Sequence, residues 1–323
     1  MPQGNIGNRV IAIQDILLTQ SDKDHILSMP TLITLLAEKG IACDRRSVYR
    51  CIEILKDSGH PVHFTKRNGQ GYYMNSSLSL AEAYFLISCI QESSAISETV
   101  SKQLTRKILS LLSEHERKQL PVIIPSATKT TNSQVFLAIE VLMNAIACLH
   151  PVQFLYFDYT VNKQKQYRRQ NKRYELIPQA IVSNRGRFYC VFYSVKHQSF
   201  ANYRIDKMEQ VRMLPQQIDP QPFNLADYLK SNFDMYAGTP QTITAQFDLS
   251  LANIVFDQFG QNIIISSVHS DTFTASIQTT ITPTLISWLV LFQKQIVVKK
   301  PQSLINQLLQ VAQDIQNTYH IKK

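Results

Sequence analysis

Residues 44–59 read DRRSVYRCIEILKDSG, and this stretch decides the N-terminal fold. Val48, Cys51, Ile52 and Leu55 recur at i, i+3, i+4 and i+7, the spacing that gathers side chains on one face of an α-helix. Asp44 stands where an N-cap is needed, because its carboxylate can accept from backbone N–H groups that lack a partner inside the helix. Gly59 stops the run. Arg45, Arg46, Tyr49 and Arg50 fall on the other face, crowded into the first turn and a half. Cations are mildly unfavourable at a helix N-terminus, so three arginines there argue for an anionic partner. A recognition helix offers its first turns to the major groove, where Arg can bond guanine edges bidentately. Arg45, Arg46, Ser47, Tyr49 and Arg50 are therefore the expected contacts to double-stranded DNA.

The flanks supply the rest of that module. A helix over about Arg9 to Leu18 carries Val10, Ile13 and Leu17 on one face. A second begins near Pro30, suited to a first helical turn, buries Leu32, Leu35 and Leu36, and ends at Lys39-Gly40. After the third helix Val62 and Phe64 alternate inward, Asn68-Gly69 signals a hairpin turn, and Tyr72-Tyr73-Met74 returns. This is a β-wing with Lys66 and Arg67 at its tip, placed for phosphate. The expectation is a winged helix-turn-helix over residues 1–76. With GYYM after it, DRRSVYRCIEILKDSG resembles the N-terminal domain of DeoR-type regulators, in which a D-R-R-T-V-Y-R-like helix reads DNA; Ser47 stands for the usual Thr.

Charge separates the later blocks. The chain carries +9, and residues 131–220 hold twelve Lys/Arg against six Asp/Glu, so +6 of that excess lies in one block. An even, solvated surface would spread it, so an anionic partner is expected there. Residues 221–323 balance at six against six. Five scattered cysteines with no Cys-x-x-Cys argue against a disulfide framework or a structural zinc site. The N-terminus lacks the apolar core of a signal peptide. Leu285 to Phe292 falls far short of the roughly 20 apolar residues a membrane span needs. A cytoplasmic protein with no membrane association is expected.

Between residues 77 and 133, Leu80, Tyr84, Ile87 and Ile90, then Leu104, Ile108, Leu111 and Leu112, recur at helical spacing and predict a linker of two or three helices. Pro121 to Ser133 and the proline-bearing stretch Pro215 to Pro240 read as connections. From Val152 the period becomes two. Val152, Phe154 and Tyr156 share one face and Leu155, Phe157 and Tyr159 the other, which suits a strand buried on two sides or a small closed barrel. A basic turn follows (Lys163, Lys165, Arg168, Arg169), then short runs at Tyr174–Pro178, Ala180–Val182, Phe188–Tyr193 and Gln210–Leu214. They predict a small antiparallel barrel over residues 134–220.

Phe154-x-Tyr156, Pro178 in the Y-x-L-x-P run, Phe188-Tyr189-Cys190 and Arg204-x-Asp206-Lys207 make this block resemble the WYL domain, a bacterial Sm-like barrel. Phe188 stands for the family's Trp and Cys190 for its Leu. The resemblance implies a sensor of an anionic effector, a nucleotide or single-stranded nucleic acid. Guanidinium and ammonium groups pair with phosphate, and tyrosines offer π-faces to bases. Arg204 and Lys207 are the expected phosphate partners, Tyr156 and Tyr189 the pocket lining, and Arg187 and Arg169 secondary contacts. Asp206 is expected to hold Arg204 rather than act as a catalytic acid.

Residues 241–323 predict the order β-α-β-β-α-β, which is ferredoxin-like. Leu304, Leu308, Val311, Ile315 and Tyr319 give the last helix one apolar face, and Trp288 is expected in the core. The run Trp288–Pro301 resembles the extension common after WYL domains. The fold class is multidomain α+β: winged helix-turn-helix, helical linker, Sm-like small β-barrel and ferredoxin-like C-terminal domain. The expected function is a homodimeric transcriptional regulator. Alternatives are an RNA- or single-stranded-DNA-binding module, or an enzyme acting on nucleotides. Against the last, no phosphate-binding Gly loop, nucleophile elbow or metal-ligand spacing occurs, so no catalytic residue, cofactor or metal is assigned.

Overall fold

A computed structural model describes residues 5–66, 69–123, 128–219, 222–231 and 240–319. The chain forms two compact units, 1–133 and 134–323. In the first, α1 (Ile6–Gln20), α2 (Met29–Glu38) and α3 (Arg45–Asp57) precede a hairpin of β1 (Val62–Thr65) and β2 (Gly71–Met74). Each helix starts on a polar cap. Asn5, Ser28 and Asp44 accept the N–H of Gly7, Thr31 and Ser47 respectively. Ile13, Ile16, Leu17, Leu32, Leu36, Val48, Cys51, Ile52 and Leu55 meet in one core. Leu35, expected inside, is half-buried.

The hairpin is pinned by Gly71. Leu27, in the loop before α2, exchanges backbone hydrogen bonds with Tyr72 at 2.9 and 2.8 Å. A Cβ on Gly71 would stand 2.5 Å from the Leu27 carbonyl oxygen. Only a residue without a side chain lets the two backbones come this close. Val62 joins the core, but Phe64 does not alternate inward as expected. It is 43% exposed, with its ring 5.0 Å from that of Tyr72. Phe64 lies two residues nearer the end of the hairpin, beyond the reach of the helical core.

Three further helices complete this unit: α4 (Leu80–Glu92), α5 (Glu98–Leu109) and α6 (Glu114–Gln119). Capping boxes open α4 (Ser79, Glu82) and α6 (Ser113, Glu116). α4 buries Ala83 and Ile87, while Tyr84, expected inside, faces out.

The second unit begins with α7 (Val135–Cys148), a helix that the sequence reading left unassigned. Its Val135, Ala138, Leu142 and Ala145 pack on Val152, Phe154, Tyr156, Tyr174, Cys190, Phe192, Ile205 and Met208. These belong to a curled antiparallel sheet of β3 (Val152–Tyr159), β4 (Lys165–Tyr167), β5 (Tyr174–Asn184), β6 (Arg187–Ser194), β7 (Ser199–Arg204) and β8 (Met208–Met213). The strand order is β4-β3-β5-β6-β7, and β8 returns to pair with β3. Two predicted runs, Tyr174–Pro178 and Ala180–Val182, are one strand. β5 pairs with β3 through its first residues and with β6 beyond, shifting register between Pro178 and Ala180. A bulge suits Pro178, which has no N–H to give a ladder.

α8 (Leu225–Ser231) follows, within the stretch expected to be a plain linker. Then come β9 (Pro240–Asp248), α9 (Ala252–Phe259), β10 (Ile264–Val268), β11 (Thr272–Thr280), α10 (Pro283–Leu291), β12 (Ile296–Lys300) and α11 (Gln302–Thr318). The strands form an antiparallel sheet in the order β10-β11-β9-β12. Phe247, Phe273, Val255, Leu285 and Leu304 fill its core. Trp288 packs edge-on between Phe259 and Phe292 at that core's margin. α11 departs from expectation along its length. Leu304 is buried, Leu308 and Val311 are half-buried, and Ile315 and Tyr319 are exposed. Among the described residues, no helix is long and apolar enough to cross a membrane.

Candidate functional site

α3 carries the first candidate surface. Its apolar stripe is fully committed, with Val48, Cys51, Ile52 and Leu55 all at 1% exposure or less. The stripe fixes the helix rotation, so Arg45, Arg46, Tyr49 and Arg50 are exposed on the opposite side. The Arg45 guanidinium lies 5.7 Å from the Tyr49 ring centroid and donates to its hydroxyl at 3.3 Å. Tyr49 in turn meets Tyr72 of the hairpin edge-on at 6.4 Å. Ser47 is half-buried and serves the helix start. Its N–H donates to Asp44 at 2.7 Å and, first among the causes, holds that carboxyl below its usual range. Lys66 is exposed just past β1. Arg67 and Asn68 lie outside the described residues.

The second candidate lies on the curled sheet of β3–β8, where the expected residues fall into two neighbouring groups. In one, Tyr156 and Tyr174 are nearly buried and Tyr203 half-buried, packed edge-on at 5.1–6.1 Å. Guanidinia cover the two buried rings. Arg168 stands 5.0 Å from the Tyr156 centroid and Arg169 4.1 Å from that of Tyr174. Asp158 binds Arg168 Nε and Lys207 Nζ, each at 2.6 Å. Arg168, then Lys207, outweighs the desolvation of Asp158 and holds its pKa below the usual value. Lys207 is thus engaged with Asp158, whereas Arg204 engages a different carboxylate.

In the other group Arg204 forks onto Asp206, Nε to Oδ1 at 3.0 Å and Nη2 to Oδ2 at 2.6 Å, with Arg187 3.7 Å from the same carboxylate. Burial weighs against the Arg204 charge, but Asp206 more than offsets it and raises its pKa. Tyr189 pairs with Arg204 across β6 and β7, yet its ring packs with Val182, Val191 and Phe200. It does not share a wall with Tyr156, because neighbouring residues of β6 point to opposite faces and Cys190 takes the core side. The groups touch where the Arg204 N–H donates to the Tyr156 hydroxyl at 3.3 Å. Burial pushes the Tyr156 hydroxyl up to about 12, so it is neutral at physiological pH as it accepts the Arg204 N–H.

Asp158, Arg168, Tyr174 and Tyr203 were not singled out from the sequence as site residues. The adjacent pair Arg168-Arg169 was the available signal, but the turn that aims both at tyrosines has no marker such as glycine. Two clefts of this unit, about 560 and 850 Å³, lie elsewhere. The first is lined by Phe200, Phe223 and Tyr228, the second by Asn184, Arg185 and residues 257–260 and 262–264. Among the described residues, no group of three or more His, Cys, Asp or Glu could hold a metal ion.

Residues 138–213 match the family model of the WYL domain. Among solved structures the chain is similar to proteasome accessory factor B/C (PafBC) of Arthrobacter aurescens, at 17% identity and a TM-score of 0.27. That match covers 96% of this chain and 47% of the other, so the chain spans about half the length of that protein.

Proposed function

We propose that this WYL-domain chain is a transcriptional regulator in which α3 reads operator DNA and the barrel senses an anionic effector. The observation that carries the reading is the division of α3, with Val48, Cys51, Ile52 and Leu55 buried and three arginines and a tyrosine on the open face. On this reading residues 1–76 are a DeoR-type winged helix-turn-helix, with the β1–β2 hairpin as wing. Residues 77–133 link it to the Sm-like barrel, and residues 241–323 form a ferredoxin-like extension.

The effector is a nucleotide or single-stranded nucleic acid, held by cations of the barrel and by tyrosine faces. It alters DNA affinity by binding the DNA-competent state differently from the other state, a coupling of typically about 1–3 kcal/mol. A single winged module buries little DNA surface, so the regulator acts as a homodimer on a repeated half-site. Genome-wide capture of DNA on the full-length protein, followed by binding assays on captured duplexes, tests this. One repeated motif bound roughly a thousandfold more tightly than unrelated duplex is the expected result. No enriched motif, a preference for RNA over duplex DNA, or turnover of nucleotides overturns it.

A further inference from the structure

The turn between β4 and β5 has an uncommon backbone. Arg169, Gln170 and Asn171 are successive non-glycine residues at φ 54°, 54° and 66°. Left-handed conformations cost L-residues free energy at each position, and such residues ordinarily occur singly. Strain of this kind persists where the surroundings over-determine it, and it gathers at ligand clamps and switch segments.

What the strain secures here is the placement of two guanidinia on two tyrosines. Tyr174 is sandwiched, with the Phe154 ring parallel to it at 5.4 Å on the core side and Arg169 at 4.1 Å on the other. Arg168 covers Tyr156 at 5.0 Å. The tyrosines are 4% and 6% exposed, while both arginines are exposed, so the guanidinia form the outermost layer over the rings. Arg168 is also anchored by Asp158. The Arg169 guanidinium rests on the Tyr174 ring and also acts electrostatically on Tyr203. A guanidinium is a flat, delocalised cation that stacks on aromatic faces much as a nucleobase does.

We infer that Arg168 and Arg169 fill the places of two stacked nucleobases on Tyr156 and Tyr174, and that turn 168–171 is a lid which a base-bearing ligand must displace. The inference rests on the proposed sensing role of the barrel and makes it specific. The effector must carry aromatic bases as well as phosphate, because phosphate alone gains nothing from a bared tyrosine face. Once displaced, the guanidinia are free to follow the phosphates of the ligand.

The test compares a short oligothymidylate with an abasic oligonucleotide of the same length on full-length protein, by fluorescence anisotropy. The readout is the ratio of the two affinities. Arg169→Ala removes a competitor for the Tyr174 face, so the preference for the base-bearing oligomer rises roughly threefold, even if both bind more weakly for want of a charge. Gln170→Gly removes the left-handed penalty, stabilises the closed lid and lowers the same preference about fivefold, without loss of thermal stability. Were Arg169 merely a phosphate contact or a structural cover, the ratio would be unmoved in both variants. Retained oligothymidylate binding with unmoved ratios overturns the lid and leaves the sensing role standing. Failure of the wild-type protein to bind oligothymidylate or any nucleotide overturns the sensing role, and the lid with it.

Discussion

The imidazoles of His25 and His115 stack face to face, with centroids 3.8 Å apart and planes 2° from parallel. Beneath them Asp22, 5% exposed, accepts from the backbone N–H groups of Asp24 and His25 at 2.9 and 2.8 Å, and from Ser113 Oγ at 3.2 Å. His25 Nδ1 completes the set at 2.8 Å. The cluster ties the loop after α1 to the start of α6, and thus the first three helices to the helices that follow the hairpin.

Burial works against the Asp22 charge, but the His25 side chain and the two backbone donors outweigh it and hold its pKa below the ordinary 3.8. A carboxylate depressed in the folded state adds stability above its unfolded pKa and loses it as pH falls through the folded value. Asp22→Asn should therefore cost about 1–3 kcal/mol near neutral pH. Its deficit relative to wild type should shrink on acidification below about pH 4. Urea unfolding at the two pH values checks this, and an equal deficit at both would refute it.

Gly71→Ala places a methyl group 2.5 Å from a backbone oxygen that cannot swing away. A loss of about 1–3 kcal/mol is expected, as for other forced close contacts. The exposed, unobstructed Gly7 offers the control, since nothing lies within 4 Å of a Cβ there. Equal melting temperatures for the two alanine variants would contradict the pinned hairpin.

For DNA reading, Arg46→Ala or Arg50→Ala should each cost roughly 1–3 kcal/mol in specific binding if it reaches a base edge. Lys66→Ala should weaken binding to all duplexes alike and reduce the salt slope by about one. Operator affinity unchanged in the Arg46/Arg50 double variant would remove α3 from the interface.

Arg204→Ala strips the fork from a carboxylate that is 4% exposed. Breaking one side of such a pair costs about 3 kcal/mol. Adding Asp206→Asn should recover part of that loss, because the carboxylate that has lost its bidentate partner is then no longer charged. Chemical unfolding of the two variants decides the matter; a double variant no more stable than Arg204→Ala would mean that the pair carries little coupling.

The sequence by itself determined what depends on local periodicity and local chemistry. The α3 stripe, the Asp44 cap, the exposed arginines and the strand–helix order of residues 240–318 were all legible, because spacings of 3.6 and 2 residues sort side chains to faces before any tertiary contact forms. Asp206 beneath Arg204 was legible for the same reason, two positions apart along one short segment. Only the tertiary structure decided which faces meet. It turned Tyr189 away from Tyr156, engaged Lys207 with Asp158, and brought His115 onto His25 and Leu27 onto Gly71. It also left Ile315 and Tyr319 exposed at the end of an otherwise periodic helix. Each of these depends on strand register, on element length, or on a left-handed turn built without glycine, and none of the three leaves a periodic trace in the chain.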